Sequence, residues 1–274
     1  MHHTVPLTSK FYVTSPQPCP YLEGLVERKL FTTLQGQNAD DINNALSKQG
    51  FRRSQNVLYR PACTDCSACL SARIDVQKFQ LSKSQRRILT RNSNLKRQSN
   101  SPWATEAQFD LFKSYLDSRH TNGGMTDMDV FEFAAMIEET PINTKVIEYK
   151  NEKNSLDAVC LTDIFDDGVS LVYSFFNTEI SKKSLGTYVI LDHIQLAKEK
   201  KLPYVYLGYW VQGSKKMAYK AQFQGIEVFI NGKWVSFEND YNYESESELS
   251  QPASLSDQVV QISMPNSTHI MERW

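Results

Sequence analysis

The chain has 274 residues, 41% of them apolar and 22% charged, with a formal net charge of −1. That length suits one large domain or two ordinary ones, and the balance excludes a disordered or fibrous protein. No apolar run approaches the roughly 18 residues of a membrane span, and the N-terminal Met-His-His-Thr-Val-Pro lacks the basic and apolar parts of a secretory signal, so a cytoplasmic location without a membrane partner is expected.

In chain order, Phe11 to Pro20 is rich in Pro and Ser and reads as extended. Asp40 or Asp41 opens a helix through Gln49 that Gly50 closes. Phe51 to Arg60 reads as a strand, and Arg73 to Phe79 as another short one. Ser82 to Arg91 reads as a basic helix, and Thr105 to His120 as an amphipathic one, with Phe109, Phe112, Tyr115 and Leu116 at helical spacing. Asp127 to Glu139 is a further helix, stopped before Pro141.

The pattern then changes. Lys145 to Lys150, Leu156 to Phe165 and Val169 to Phe176 read as consecutive strands, the last two joined by a turn at Asp166-Asp167-Gly168. Ser184 to Glu199 carries two apolar stripes, one of Leu185, Tyr188, Val189 and Leu196 and one of Ile190, Ile194 and Ala197, as in a helix covered on two sides. A strand over Tyr204 to Tyr209, a helix over Ser214 to Phe223 and a hairpin over Ile226 to Phe237, turning at Asn231-Gly232, complete the order. This order predicts an α+β protein. A small cysteine-containing domain (residues 1–100) precedes an N-acetyltransferase-like (GNAT) domain of mixed α/β type (residues 101–243). Residues 244–274, rich in Ser, Glu and Gln, read as a mobile polar tail within which Val259 to Ile262 is apolar enough to be pinned.

Two features of the small domain carry chemistry. Cys63, Cys66 and Cys69 stand in two successive Cys-x-x-Cys steps, and Cys19, between Pro18 and Pro20, is the natural fourth thiol. Four soft donors suit a structural Zn²⁺ or an iron–sulfur cluster; the other reading is four reduced thiols packed in a small domain. Cys160 sits mid-strand and reads as a core thiol. The second feature is sign purity. From Val76 to Thr105 there is no Asp or Glu, but Lys78, Lys83, Arg86, Arg87, Arg91, Lys96 and Arg97 are present, as on a phosphate-facing surface.

Several blocks, in order, resemble the aminoacyl-tRNA–protein transferase family. They are Tyr59-Arg60-Pro61 with Cys63, Cys66 and Cys69; Ser84-Gln85-Arg86-Arg87 with Arg91-Asn92; Arg119-His120 with Gly124-Met125; and Ser184-Leu185-Gly186-Thr187-Tyr188. Tyr206-Leu207-Gly208-Tyr209-Trp210-Val211 and Ser214-Lys215-Lys216-Met217 with Tyr219-Lys220 and Phe223 complete the set. The short chain and the three-cysteine knuckle are similar to the bacterial branch, the aspartate/glutamate leucyltransferases; the longer eukaryotic branch transfers arginine. The resemblance implies an enzyme with two partners, leucyl-tRNA and proteins with an N-terminal Asp or Glu, that marks the latter for N-degron degradation.

Such a reaction needs no cofactor for its chemistry, because the donor is already an activated ester. Three recognition tasks remain. Cations must meet the acceptor carboxylate, and Arg87, Arg91, Arg119 and His120 are the candidates. The tRNA end needs phosphate contacts and stacking, for which Lys83, Arg86, Lys182, Lys183, Gly186, Thr187, Lys215, Lys216 and Lys220 are candidates, with Tyr209 and Trp210 for the terminal adenine. Tyr173 and Phe175 are candidates for the aminoacyl pocket. Asp192, a carboxylate on a buried stripe beside Tyr188, is the candidate catalytic group, set against a structural pairing with a neighbouring cation or phenol. An arginyl transferase, a CoA-dependent N-acetyltransferase and a non-catalytic metal-dependent nucleic-acid-binding protein are the competing readings.

Overall fold

The computed structural model describes residues 10–119, 125–180, 183–239, 242–243 and 259–265. The strands in chain order are β1 (Tyr12–Val13), β2 (Gln17–Pro18), β3 (Val26–Glu27), β4 (Lys29–Thr33), β5 (Arg52–Ser54), β6 (Val57–Pro61), β7 (Cys69–Asp75), β8 (Lys96–Asn100), β9 (Thr144–Lys150), β10 (Leu156–Ile164), β11 (Gly168–Phe176), β12 (Tyr204–Val211), β13 (Ile226–Ile230) and β14 (Lys233–Ser236). The helices are α1 (Ala39–Ser47), α2 (Lys83–Arg91), α3 (Glu106–Arg119), α4 (Val130–Glu138) and α5 (Leu185–Glu199).

Eight strands form one sheet in the order β14-β13-β7-β12-β11-β10-β9-β8. Neighbours in it are antiparallel except β11 and β12, which run parallel and pair only over Gly168–Ser170 against Tyr204–Tyr206. Beyond those residues the two strands part. Alternation along β10 sorts the two faces. Ala158 and Cys160 join the core of α5, whereas Val159 and Leu161 join that of α3 and α4. Three antiparallel strands, a covered helix and a parallel strand that splays from its neighbour constitute the GNAT-like fold expected from the sequence.

The boundary expected near residue 100 does not divide two sheets. β7, which begins on the last knuckle cysteine, inserts between β12 and β13, and β8 adds to β9 at the far edge. What stands apart is a four-stranded sheet, β1-β4-β6-β5, over α1. α1 closes as expected at Gly50, whose φ of +82° suits glycine. The strand expected over Phe51 to Arg60 is instead the tight hairpin β5–β6, turning at Gln55 with φ of +51°. The helix expected over Ser214 to Phe223 is reduced to a 3-10 turn over Ala218–Gln222, because Ser214 and Lys220 both turn inward and the segment closes by i to i+3 bonds. In the tail, Val259, Ile262 and Met264 pack on the small core, and Gln49 bonds both backbone groups of Ser263; residues 244–258 and 266–274 lie outside the described residues.

The small sheet is tied to the large one by charge. Arg53 donates from Nε to Asp163 Oδ2 (2.6 Å) and from Nη2 to Oδ1 (2.7 Å), and Thr144 Oγ1 donates to Oδ1 (2.8 Å). Both charged side chains are 1% exposed or less. Removing one partner of such a pair leaves the other charged and dry, a cost of about 3–5 kcal/mol. Asp163→Ala is therefore expected to lower unfolding stability by about that amount in chemical denaturation; a loss below about 1 kcal/mol would show that the pair does not hold the sheets together.

Candidate functional site

Two places in the sheet concentrate polar chemistry. The first is the N-terminus of α5. Ser184 precedes it in the left-handed conformation (φ +52°), and the Ser184 side chain makes no capping hydrogen bond. Uncapped first-turn amides carry partial positive charge and suit an anion. Gly186 packs against the ring of Phe176 at the end of β11, where an added Cβ would lie 3.1 Å from the ring. α2 lies along α5, with Ile88 and Leu89 in its core. Its Asn92 donates from Nδ2 to the carbonyl of Lys183 (2.8 Å), and the Oδ1 of Asn92 is buried without a partner among the described residues. α2 is started by a reciprocal Ser82–Gln85 capping box. Its Lys83, Arg86, Arg87 and Arg91 are all exposed, and Arg86 bonds the carbonyl of Leu81. The basic run thus becomes a cationic helix face whose C-terminal end meets the start of α5.

The second place is the gap between β11 and β12. Gly208, at φ +71°, sits beside a bulge in β12 after Tyr206. The guanidinium of Arg52 fills the space where a Cβ on Gly208 would project. Its Nη2 donates to the carbonyl of Val172 on β11 (2.7 Å). The surrounding groups are phenols: Tyr59, Tyr21, Tyr209 and Tyr219 act on the Arg52 charge, and Arg52 acts in turn on Tyr173. Tyr115 of α3 reaches the same space, with its ring 5.0 Å from Phe176 and an influence on Tyr173 and Tyr219. Arg119 acts on Tyr115, so the exposed end of α3 stands at this mouth.

The structure distributes the sequence candidates differently from expectation. Asp192 is committed: Tyr149 donates its hydroxyl to Oδ2 (2.8 Å), and Arg97 lies 3.3 Å away with a second contact to Glu199. Tyr149 belongs to β9, and β10 and β11 stand between it and the gap. Tyr188 is 7% exposed, lies edge-on to Tyr149 and has its hydroxyl pushed up to about 12, chiefly by burial. Both side chains are thus packed against Tyr149, two strands from the gap. Tyr209 and Trp210 are unavailable for stacking. The Tyr209 hydroxyl is directed at the carbonyls of Tyr59 (2.9 Å) and Gly50 (3.2 Å), and Trp210 packs on Phe237 and Tyr243.

Phe175 is buried in the α3–α4 core, whereas Tyr173 reaches the gap. Lys183 pairs with buried Asp157 (3.4 Å). Thr187 is half-buried in the first turn of α5, and Lys215 and Lys216 are exposed. Lys220 is not on a surface track: it is 2% exposed, and its Nζ donates to the Tyr209 carbonyl. His120 and Lys182 lie outside the described residues.

Cys19, Cys63, Cys66 and Cys69 line one cavity together with Tyr21, Tyr59 and Tyr209. Burial, then the other three thiols, push the Cys69 thiol up to about 12. Four thiols are the donor type that a soft metal takes, although the raised thiol pKa opposes the thiolate form that binds it. Among the described residues, moreover, no three such groups are placed to hold one ion. Cys160, fully buried with its thiol raised to about 12, is the core thiol expected.

Comparison with known proteins gives one answer. The family models described as arginine-tRNA-protein transferase, N terminus and C terminus, match residues 17–87 and 107–230. A protein of Ruegeria sp. named aspartate/glutamate leucyltransferase is 56% identical over all of both chains. One of the same name from Jannaschia sp. is 60% identical over 97% of this chain and 94% of its own. The solved structure of L-PGS from Bacillus licheniformis covers 60% of this chain and 61% of its own, with a TM-score of 0.42 and 12% identity.

If Asp192 only ties α5 to β8 and β9, Asp192→Asn should lower stability by about 1–3 kcal/mol and leave turnover per folded molecule within about threefold. A hundredfold loss of turnover at unchanged melting temperature would return Asp192 to the reaction centre.

Proposed function

Because this chain belongs to the aminoacyl-tRNA–protein transferase family, alongside the aspartate/glutamate leucyltransferases, we propose that it moves leucine from leucyl-tRNA to the N-terminal α-amine of proteins that begin with Asp or Glu, marking them for N-degron degradation. The observation that carries the reading is the continuity from the uncapped start of α5, through Phe176 and Tyr115, into the β11–β12 gap. A phosphate at the helix start and an aminoacyl ester in the gap would lie on one path.

The reaction places modest demands on the protein. The ester is already activated, and an α-amine with a pKa of about 7.7–8.0 is in part nucleophilic at neutral pH. Holding amine and carbonyl in line, and stabilising the oxyanion, can supply most of the rate. The first-turn amides of α5 and the cationic face of α2 take the tRNA 3′ end. Tyr115, Tyr173 and Phe176 supply an apolar wall for the leucyl side chain. Arg119, exposed beside Tyr115, suits the approach of an acidic N-terminus. The four clustered thiols serve the fold; a structural Zn²⁺ or iron–sulfur cluster on them is supported by the donor set alone, and elemental analysis of purified protein tests it.

The purified chain, given leucyl-tRNA and a peptide beginning with Asp, is expected to label the peptide with leucine. Labelling from arginyl-tRNA alone, or from acetyl-CoA alone, would replace this reading with the corresponding rival. Exchanging Lys83 and Arg87 for Ala should remove about two phosphate contacts. Each contributes roughly 0.7–0.9 to the log–log salt dependence of binding, so the slope for tRNA should fall by about 1.5, with the preference for acidic acceptors unchanged. A lost preference at unaltered tRNA binding would instead make Arg87 an acceptor contact.

A further inference from the structure

Arg52 and Lys220 present a problem that the proposed transfer reaction resolves. They are two basic side chains drawn close in one largely buried space. Arg52 lowers the pKa of Lys220, second only to burial, and the ammonium is held well below its ordinary range. The Arg52 guanidinium touches Val172 O and the bulge at Gly208, and Lys220 Nζ touches Tyr209 O. All of these are neutral groups. No carboxylate pairs with either side chain among the described residues. Glu27, the acid that acts on nearby Tyr21 and Cys69, is engaged 2.8 Å from Lys29.

The contrast lies one residue away, where Arg53 is fully buried and fully paired with Asp163. A half-buried guanidinium with no counter-charge favours an anion beside it, and an anion there would also restore the Lys220 proton that burial and Arg52 disfavour. The glycine at 208, required by its positive φ and by the guanidinium lying against it, keeps Arg52 in place.

We infer that Arg52, assisted by Lys220, binds the side-chain carboxylate of the acceptor's N-terminal Asp or Glu at the floor of the β11–β12 gap; the inference rests on the transfer reaction proposed above. A planar guanidinium fork matches a carboxylate in two hydrogen bonds. The tyrosine wall favours a small anion carried on a short side chain over a phosphodiester, which would have to be stripped of water on all sides. Phosphate has its own place at the exposed cations of α2 and the start of α5, where no such desolvation is needed. Tyr219, 41% exposed, and Tyr115 flank the entry. A carboxylate at the floor leaves the adjoining α-amine nearer the mouth, on the side from which the ester arrives.

The test uses the full chain, leucyl-tRNA and four peptides that differ only in an N-terminal Asp, Asn, Glu or Gln. Affinities for leucyl-tRNA, and for fluorescent Asp and Asn peptides without tRNA, are measured on the same preparations. Failure of the unaltered protein to leucylate the Asp peptide would count against the reaction, whereas peptide binding reports on Arg52 independently. Arg52→Gln should lower kcat/KM and affinity for the Asp and Glu peptides by about 100-fold, the scale on which a buried charge pair loses one partner. It should change the Asn and Gln peptides little and keep leucyl-tRNA affinity within about twofold. Arg52→Lys, which keeps the charge and loses the fork, should fall between the two, and so guards against a folding defect in Arg52→Gln. Lys220→Met should shift the same ratio by about tenfold in the same direction. Equal losses across all four peptides, or a parallel loss of leucyl-tRNA affinity, would overturn the assignment.

Discussion

Everything near the gap depends on how β5 lies against the large sheet. Successive residues of a strand point in opposite directions, so the neighbours Arg52 and Arg53 are sent to different places. Arg53 reaches β9 and β10 and closes a charge pair with Asp163; Arg52 reaches β11 and β12 and closes none. The first arginine anchors the hairpin, and that anchor makes it tolerable to hold the second without a counter-charge. A cation left dry tends to swing out to water. Here the paired neighbour, the bulge at Gly208 and the Val172 carbonyl prevent it.

The knuckle enters through the same geometry. Cys69 begins β7 and pairs with Val211, at the end of β12 where the splay opens. β7 fills the side of β12 that β11 does not, and β13 covers β7 in turn. The cysteine cavity shares Tyr21, Tyr59 and Tyr209 with the surroundings of Arg52. The thiols thus stand one layer behind the gap, fixing the wall that carries its phenols. The cysteine segment is part of the transferase sheet and not an appended module.

Elements with a strong period were legible in the sequence: α1 with its closing glycine, α5 with two stripes, β9 to β11, and the last hairpin. β8 was missed because Lys-Arg-Gln-Ser-Asn offers no apolar alternation; it is an edge strand held by backbone pairing to β9. β4 was missed because Lys29 to Thr33 is too short to show a period beside its prolines and glycines. Family resemblance located the transferase blocks, but side-chain direction decided their roles. Tyr209, Trp210 and Lys220 lie in one such block, and all three turn inward. Asp192 was correctly marked as a carboxylate needing a partner, and Arg97 and Tyr149, distant in sequence, are that partner. Arg52 stands in a mostly polar run, Phe51 to Arg60, with no apolar period to mark its face, although two adjacent arginines on a strand point to opposite sides and so send one inward.

The two cationic regions do different physical work. The α2 face is exposed, so its attraction for a polyanion acts over about a Debye length, roughly 8–10 Å at ordinary salt, and weakens as salt rises. It suits capture of a long tRNA whose sequence it need not read. Arg52 and Lys220 are screened by protein instead of salt, and reach only what enters the gap. Their contribution is a penalty against acceptors that leave them unpaired, because an amide in place of the carboxylate would desolvate the site without neutralising it. Affinity for the donor should therefore follow ionic strength while choice of acceptor should not, a division that follows from placing one set of cations on a helix surface and the other between parting strands.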